Sequence, residues 1–363
     1  MKETILIVSN VTNGLFLFRR ELIECLAGKY NVEIVAGDTG SVDALKALGC
    51  NVTLSPIELH GTNPLKELGL YRYYKKMIKK LKPAAVLTYT VKPNIYAGMA
   101  SAKLGVPYIA NITGLGTAVE EKSALRKVMF FLLRRGLRKA KKVFFQNEEN
   151  RDFMLGHKLV SGAWDLLPGS GVNLDRYSPL PYPEGDDINF TFISRVMKEK
   201  GIDQFVETAR AVREKHPEAR FHVYGKLSGE YNSIIPALND EGVITYHGYA
   251  GDIAAVHAAS SCTVHPSYYP EGMSNVLLES AACARPVITT DRSGCRETVD
   301  DGVTGYIVPV KDSRALTEAV LEFISLTRDE RREMGLAGRA KVEKEFDRKI
   351  VIDKYLKEIE SEL

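Results

Sequence analysis

Two carboxylates flank a short turn in the second half of the chain, in the run Glu271-Gly-Met-Ser-Asn-Val-Leu-Leu-Glu279. Ser274 is placed to cap a helix, which leaves the amides of residues 272–275 unpaired and pointing outward. Such amides attract phosphate, whereas a carboxylate repels phosphate and accepts hydrogen bonds from sugar hydroxyls. The order acid, amides, acid therefore predicts a site for hexose, diphosphate and ribose. The alternative is that both acids are solvated charges on a helix surface.

A second group of charged residues follows the buried strand predicted at 189–194. Arg195 and Lys200 lie on the loop between that strand and the next helix, where open parallel sheets bind ligands. Arginine offers a bidentate fork to phosphate oxygens and lysine offers a compact charge. The pair is interpreted as a diphosphate site; the alternative is a surface ion pair with the adjacent Glu199.

These residues form part of a longer pattern that resembles glycosyltransferase family 4. The matching positions are Arg195-x4-Lys200-Gly201, Pro270-Glu271-Gly272, Glu279, Pro286-Val-Ile-Thr-Thr-Asp291, Gly294-x-x-Glu297 and Asp301-Gly302-x-x-Gly305. The resemblance covers nearly the whole chain. It implies an α/β protein of the GT-B fold, in which two Rossmann-like domains with parallel sheets face a central cleft. It also implies a nucleotide-sugar donor and retention of the anomeric configuration.

The resemblance also implies a role for each residue of the site. Arg195 and Lys200 would hold the diphosphate, Glu271 the donor hexose and Glu279 the ribose, and the first three are the candidate catalytic residues. The base pocket is expected near Gly225 and residues 246–249. The complete predicted donor-binding set is Gly14, Arg195, Lys200, Tyr249, Glu271, Gly272, Met273, Ser274, Asn275 and Glu279.

The chain shows neither an Asp-x-Asp motif nor a His/Cys cluster with metal-ligand spacing. We therefore expect no metal and no other cofactor, because the two cations and the helix amides can neutralise the leaving diphosphate. By resemblance, the donor is expected to be a UDP-sugar, with UDP-N-acetylgalactosamine or UDP-galactose favoured over UDP-glucose.

Alternating strand and helix patterns predict two domains, each with a parallel sheet covered on both faces. At 363 residues the chain is too long for one ordinary core, and residues 168–187 form a proline- and glycine-rich connection. The predicted division is an acceptor-binding, membrane-facing domain at 1–170 and a nucleotide-sugar domain at 171–345. A final helix at 346–363 is expected to pack back on the first domain.

The acceptor side is predicted from fewer signals. Gly14 follows the first strand, where the lack of a side chain lets the backbone approach a ligand, although it can equally be an ordinary turn glycine. The loop that starts at Asn111 resembles that of family members that extend undecaprenyl-linked glycans. Many other family members keep a histidine in the first-domain loop that contacts the donor sugar, but here none occurs between His60 and His157. The candidate acceptor-binding residues are Asn13, Lys92 and Thr113.

The first half of the chain is basic. Residues 1–180 contain 26 Lys and Arg against 15 Asp and Glu, although the whole chain has a net charge of only +3. Two predicted helices, 65–81 and 123–140, carry much of this charge, and the second also contains the apolar run 128–133. The pattern predicts an interfacial helix on an anionic leaflet; the alternative is a buried helix with basic ends. The expected membrane contacts are Arg126, Lys127, Phe130, Phe131, Arg134 and Arg135.

The remaining features favour a reducing, cytoplasmic location at the membrane surface. Five scattered cysteines lack paired spacing, the N-terminus shows no signal peptide, and no apolar run reaches the 18 residues of a membrane span. No nucleic-acid-binding signature is present. We expect hexose or N-acetylhexosamine transfer from a UDP-sugar to a polyprenyl-diphosphate-linked saccharide in surface glycan assembly.

Three other functions remain open at this point. The first is a glycosyltransferase with a soluble acceptor. The second is a hydrolysing UDP-N-acetylglucosamine 2-epimerase, which has the same two-domain shape. The third is a non-catalytic protein that binds anionic lipid.

Overall fold

The computed structural model describes residues 2–58, 63–115 and 124–361. The chain divides into two compact units. Unit 1 consists of Met1–Ser170 together with Lys349–Leu363, and unit 2 is Gly171–Arg348. The chain thus leaves unit 1 after residue 170 and returns to it three residues later than the 346 expected from sequence.

The described part of unit 1 contains a seven-stranded parallel sheet in the order β3-β2-β1-β4-β5-β6-β7. Its central strands read as nearly continuous apolar runs, as expected for a sheet that is buried on both faces. The strands are β1 (Thr4–Val11), β2 (Asn31–Gly37), β3 (Asn51–Leu54), β4 (Ala85–Tyr89), β5 (Tyr108–Ile112), β6 (Lys142–Phe145) and β7 (Trp164–Leu166).

Helices cover both faces of this sheet. Within unit 1 these are α1 (Thr12–Lys29), α2 (Val42–Ala47), α3 (Pro64–Leu81), α4 (Val91–Leu104), α5 (Ala124–Leu137) and α6 (Glu148–Gly156). The start of α3 is specified locally, because the Asn63 side chain accepts a hydrogen bond from the Leu65 amide at 3.0 Å and Pro64 occupies the first helical position. The predicted start of α5 at Ser123 lies outside the described residues.

Unit 2 repeats the same architecture with a six-stranded parallel sheet in the order β10-β9-β8-β11-β12-β13. Its strands are β8 (Ile188–Ile193), β9 (Ala219–Tyr224), β10 (Thr245–Tyr246), β11 (Cys262–His265), β12 (Val287–Thr290) and β13 (Gly305–Val308). Its helices are α7 (Ile202–Arg213), α8 (Tyr231–Asp240), α9 (Ile253–Ala259), α10 (Asn275–Ala282), α11 (Ser313–Ser325) and α12 (Arg328–Glu345).

A last helix, α13 (Arg348–Glu360), belongs mainly to the core of unit 1. Its apolar side chains pack on the helix α1 side of the first sheet, and Tyr355 is fully buried there. The Tyr355 hydroxyl donates a hydrogen bond to the Asn111 side chain on β5. The C-terminal helix is therefore an integral part of unit 1.

Strand order reverses once in each sheet, between β1 and β4 in unit 1 and between β8 and β11 in unit 2. In open parallel sheets, ligands bind beyond the carboxyl ends of the strands at such a reversal. The loops after these four strands are accordingly the places to search for a functional site.

Candidate active site

The loops after β8 and β11 lie against each other at the reversal point of unit 2. Gly201 makes this contact possible: it has φ +79°, and a Cβ atom there would come 2.1 Å from the Pro266 carbonyl oxygen. Any larger residue would push the two loops apart. The glycine thus positions Lys200, which precedes it, next to the loop that carries Glu271.

Lys200 and Glu271, which are 71 residues apart in sequence, form an ion pair in this structure. Lys200 is buried, with 7% of its surface exposed, and Glu271 is more accessible. Burial lowers the pKa of the Lys200 amine to about 8, and the nearby Arg195 guanidinium acts in the same direction. A phosphate-binding cation and a hydroxyl-accepting carboxylate therefore lie side by side.

Arg195 is exposed beside this pair, and an aromatic side chain connects the two cations. The Tyr269 ring centroid lies 5.7 Å from the Arg195 guanidinium carbon and 5.0 Å from the Lys200 nitrogen, both within the cation–π range. The sequence analysis missed Tyr269. The aromatic pair directly before Pro270-Glu271 was the available signal, because aromatic rings commonly hold cations in place.

The turn that begins α10 differs in part from the sequence-based expectation. Ser274 occupies the N-cap position, but its side chain makes no capping hydrogen bond. Its amide is not open to a ligand as expected, because it donates to the Gly294 carbonyl oxygen at 2.7 Å. Met273 is buried in an apolar cluster of unit 2, so only its backbone could face a ligand. The predicted row of outward-pointing amides is therefore shorter than we expected.

The loop that supplies this carbonyl is itself held by a carboxylate. The Glu297 side chain accepts hydrogen bonds from the Gly294 amide at 2.7 Å and from the Ser293 hydroxyl at 2.9 Å. Gly294 has φ +89°, and a Cβ atom there would come 3.0 Å from the Gly272 carbonyl oxygen. The Gly294-x-x-Glu297 motif thus supports the turn between Glu271 and Ser274.

Glu279 is the fifth residue of α10 and lies about 6 Å along the helix axis from the first residue. Desolvation raises the pKa of its carboxyl to about 7, although a hydrogen bond with Tyr177 and the charges of Arg348 and Arg176 oppose this rise. Burial therefore favours the protonated form of this carboxyl more than water would. Asn275, on the first turn of the same helix, has a buried side-chain oxygen without a hydrogen-bond partner in the described residues.

The region predicted to hold the base follows β9 and β10. The Tyr246 hydroxyl donates to the Gly225 carbonyl oxygen at 2.9 Å, which joins the ends of these two strands. Tyr249 is 68% exposed, and the Lys226 amine lies 5.3 Å from its ring centroid. An exposed ring beside a cation is a suitable stacking surface for a planar group.

At the reversal point of unit 1, neighbouring loops already use the polar groups. The Asn13 amide donates to the Thr39 hydroxyl at 2.9 Å, and the Asn13 side chain accepts from the Ser41 hydroxyl at 3.2 Å. Gly14 lies within the first turn of α1, which begins at Thr12. Gly14 is therefore a helical residue rather than part of a free turn.

The Lys92 amine contacts the Glu67 carboxylate at 2.5 Å and the Glu58 carbonyl oxygen at 2.6 Å. It lies in the first turn of α4, which follows Thr90. Thr90 has φ +73° and ψ 167°, a conformation that costs a non-glycine residue about 1–3 kcal/mol.

Thr113, the third candidate acceptor-binding residue, is half-buried after β5, and its loop continues into residues outside the described part.

Helix α5 has one face in the core and another that is exposed. Leu125, Val128 and Phe131 are 47%, 55% and 52% exposed, at three-residue intervals along one face. Phe130 was predicted to lie on the membrane-contacting face, but it does not. Its ring packs against the unit 1 core, with its centroid 5.9 Å from that of Phe153. Lys127, Arg134 and Arg135 are exposed, whereas Arg126 is half-buried over the Phe130 ring.

Two kinds of feature are absent from the described residues. They contain no group of three or more His, Cys, Asp or Glu side chains that could hold a metal ion. Among the helices that the structure describes, none combines the length and apolar character needed to cross a bilayer.

Comparison with known proteins identifies both units. Residues 4–147 match the family model described as "Glycosyl transferase 4-like", and residues 187–325 match "Glycosyl transferases group 1". The chain belongs to glycosyltransferase family 4. The first match lies in unit 1, and the second contains Arg195, Lys200, Glu271 and Glu279.

A curated relative is similar over nearly the whole length. It is the N,N'-diacetylbacillosaminyl-diphospho-undecaprenol alpha-1,3-N-acetylgalactosaminyltransferase of Campylobacter jejuni, 24% identical over 96% of this chain and 96% of the relative. Together with the two family matches, this similarity shows that the chain is a glycosyltransferase.

Solved structures confirm the fold class as GT-B. HepE from Anabaena, determined in complex with UDP and glucose, has a TM-score of 0.81 and 16% identity, with 100% of both chains covered. Sucrose-phosphate synthase from Thermosynechococcus elongatus has a TM-score of 0.77 and 19% identity, with 98% of both chains covered.

Proposed function

We propose that this enzyme transfers a hexose or N-acetylhexosamine from a UDP-sugar to a polyprenyl-diphosphate-linked saccharide, with retention of configuration, during surface glycan assembly. The observation that carries the proposal is the contact between Lys200 and Glu271 at the reversal point of unit 2. A nucleotide sugar needs this combination, because its anionic diphosphate is bonded directly to a hydroxyl-rich hexose.

In this proposal Arg195 and Lys200 bind the diphosphate and stabilise the charge that develops on it as it leaves. Glu271 accepts hydrogen bonds from the hexose hydroxyls, and Glu279 accepts them from the ribose. The turn after Glu271 supplies backbone amides near the phosphates.

The proposed reaction is a front-face substitution. The acceptor oxygen forms a bond to the anomeric carbon while the bond from that carbon to the diphosphate oxygen breaks on the same face. A diphosphate oxygen takes the proton from the acceptor hydroxyl. Glu271 orients the hexose and forms no covalent bond in this reaction, so an isolable glycosyl–Glu271 adduct would contradict it.

The two cations supply positive charge at the leaving group, and we propose that the reaction needs no divalent metal. Activity should persist in excess chelator, with the product followed by mass spectrometry. Loss of activity that is restored by added Mg²⁺ or Mn²⁺ would contradict this part of the proposal.

The nature of the donor and acceptor rests on the comparisons. The C. jejuni relative is named for N-acetylgalactosamine transfer to an undecaprenyl-diphosphate-linked sugar, and HepE was crystallised with UDP. We therefore propose UDP-N-acetylgalactosamine or UDP-galactose as donor and a lipid-linked acceptor bound by unit 1 through Asn13, Lys92 and Thr113.

A lipid-linked acceptor requires a membrane surface, and the exposed face of α5 is proposed to provide the contact. Its three exposed apolar side chains are flanked by Lys127, Arg134 and Arg135. Each basic residue near an anionic leaflet adds about 1 kcal/mol. The enzyme would then lie on the cytoplasmic side of the membrane as a peripheral protein.

Flotation with liposomes tests the membrane contact. We expect flotation with anionic liposomes, little with neutral ones, and a marked loss for Phe131→Glu. Leu336→Glu is the matched control, because Leu336 is an exposed leucine (39%) on α12 of unit 2. Equal flotation of both variants and the wild type would contradict the assignment of this face.

Incubation with a UDP-sugar and a synthetic polyprenyl-diphosphate-linked sugar tests the reaction itself. Transfer with retained configuration supports the proposal. Transfer to a soluble sugar alone would indicate a soluble acceptor, and conversion of UDP-N-acetylglucosamine to the manno product without acceptor would indicate an epimerase. If the wild type transfers no sugar to any acceptor but still binds anionic liposomes, a non-catalytic lipid-binding function would be indicated.

A further inference from the structure

The last residue of β11 is His265, whose ring lies close to the carboxylate of Glu271. Its side chain is only 2% exposed. In the described part of the chain, neither of its ring nitrogens has a hydrogen-bond partner. Buried polar atoms are nearly always hydrogen-bonded, so a buried imidazole without a partner requires an explanation.

The Nε2 atom of His265 lies 4.0 Å from the Oε1 atom of Glu271. The same carboxylate oxygen accepts the hydrogen bond from Lys200. The same oxygen of Glu271 is thus hydrogen-bonded to Lys200 and lies just beyond hydrogen-bond distance from the His265 ring.

The surroundings of His265 favour a neutral ring that is held in place. Burial lowers the pKa of His265 well below its usual range, and the Lys200 charge acts in the same direction. A neutral imidazole carries one N–H donor. The Thr289 hydroxyl donates to the His265 carbonyl oxygen at 2.8 Å, which ties the end of β11 to β12.

Binding of a diphosphate changes the balance around Glu271. Lys200 carries three N–H donors, so its charge is then shared between Glu271 and the phosphate oxygens, and its contact with Glu271 is weakened. A donor on the protein side then helps to hold the orientation of the Glu271 carboxylate beside that anion. Within the described residues, the His265 imidazole is the buried ring in position to provide one.

We propose that His265 is a positioning residue that replaces Lys200 as a hydrogen-bond donor to Glu271 when the diphosphate of the donor binds. The empty site holds a Lys200–Glu271 pair, and the occupied site holds a Lys200–diphosphate contact and a His265–Glu271 hydrogen bond. His265 thereby orients Glu271 toward the hexose hydroxyls without contacting the substrate. This inference rests on the proposed function of the site.

The readout is the gain in affinity that the hexose provides, defined as Kd for the nucleoside diphosphate divided by Kd for its nucleotide sugar. Calorimetric titration with UDP and UDP-N-acetylgalactosamine gives this ratio. His265→Leu should reduce the ratio at least tenfold and leave the UDP affinity within about twofold of wild type. A merely structural role would weaken both ligands equally.

Three matched variants keep the test decisive if His265→Leu folds poorly. His265→Gln carries an amide donor at a reach similar to that of Nε2 and should restore most of the ratio, whereas the shorter His265→Asn should not. His257→Leu is the control for loss of a buried imidazole, because His257 is fully buried on α9 and also lacks a ring partner in the described residues. It should leave the ratio unchanged.

The possible failures are distinguishable. If the wild type binds GDP- or ADP-sugars instead of UDP-sugars, the proposed donor is wrong and the same ratio is measured with the ligand that binds. An unchanged ratio in His265→Leu, an equal loss for both ligands, or a wild-type ratio near one would overturn the role of His265.

Discussion

The two units of this glycosyltransferase share a doubly wound parallel sheet, but the residues at their reversal points are arranged differently. In unit 2, the buried Lys200 pairs with the half-buried Glu271 beside the exposed Arg195. In unit 1, Lys92 pairs with Glu67 on α3, and Asn13 bonds the loop that follows β2. The unit 2 residues converge on one point, whereas those of unit 1 serve mainly to join neighbouring loops.

The ligands proposed for the two units would account for this difference. A diphosphate always needs cations, whichever sugar it carries, so the residue types of the unit 2 site are constrained. A saccharide acceptor offers neutral hydroxyls, which many side chains and backbone groups can bind. The proposed donor site can therefore be recognised from residue types, and the proposed acceptor site cannot.

The largest expected effect comes from removing the unit 2 charges. Arg195→Ala, Lys200→Met and Glu271→Ala should each lower kcat by about 10²–10³-fold, the usual effect of removing a group that stabilises charge in the transition state. Steady-state kinetics measure the loss, and thermal unfolding checks that the fold persists.

Lys198→Met is the matched control for Lys200→Met, because Lys198 is an exposed lysine in the same short turn, Lys198–Lys200. Its kcat should stay within about twofold of wild type. Equal losses in the two lysine variants would show that general positive charge, rather than the Lys200 position, is what matters.

Replacement of Glu279 should have a smaller effect, confined to binding. Glu279→Ala removes charge-assisted hydrogen bonds worth about 1.5–3 kcal/mol and should weaken donor binding by roughly 10–150-fold with little change in kcat. Titration of wild type and Glu279→Ala with UDP, and with uridine 5′-diphosphate that lacks its ribose 2′-hydroxyl, measures the loss of affinity. Loss of kcat at unchanged affinity would exclude a ribose-binding role.

The pH dependence of kcat/KM should be bell-shaped, because the two shifted groups titrate on either side of a narrow window. Glu279 accepts hydrogen bonds best when ionised, so activity should fall below about pH 7, the value to which its pKa is raised. Lys200 binds phosphate only when protonated, so activity should fall above about pH 8, to which its pKa is lowered. Beyond each limit the decrease approaches tenfold per pH unit.

Two variants separate these limits. Lys200→Arg keeps its charge at high pH and should remove the alkaline limb, whereas Glu279→Gln should remove the acidic limb at lower overall activity. An alkaline limb that remains near pH 8 in Lys200→Arg would assign it to another group.

The smallest effect is expected in unit 1. Lys92→Met should raise KM for the acceptor less than about tenfold and leave donor affinity unchanged, since the Lys92 amine is already paired with Glu67. A loss as large as that for Lys200→Met would remove the contrast between the two units.

Much of the fold could be predicted from local sequence patterns. The apolar run of β1 and the cap at Asn63 act within a few residues, so periodicity and helix-start chemistry are sufficient to recognise them. Arg195, Lys200 and Glu271 could be predicted because a strand end and a motif place them on neighbouring loops. Their roles stay predictions.

The remainder depends on contacts between distant segments. The Ser274 amide donates to the Gly294 carbonyl oxygen, and the Phe130 ring packs against Phe153. Neither Gly294 nor Phe153 can be identified as a partner from the residues next to Ser274 or Phe130. His265 was missed for the same reason, because a histidine at the end of a buried strand gives no sign of the carboxylate six residues later. Residue types identify the chemistry, but packing decides which groups remain available for it.

The crystal structure of the wild-type enzyme with bound UDP tests the central claim most directly. We predict that the Lys200 amine and the Arg195 guanidinium contact the diphosphate oxygens, with the Lys200–Glu271 pair opened. A diphosphate bound away from these two side chains, with the pair still closed, would contradict the account.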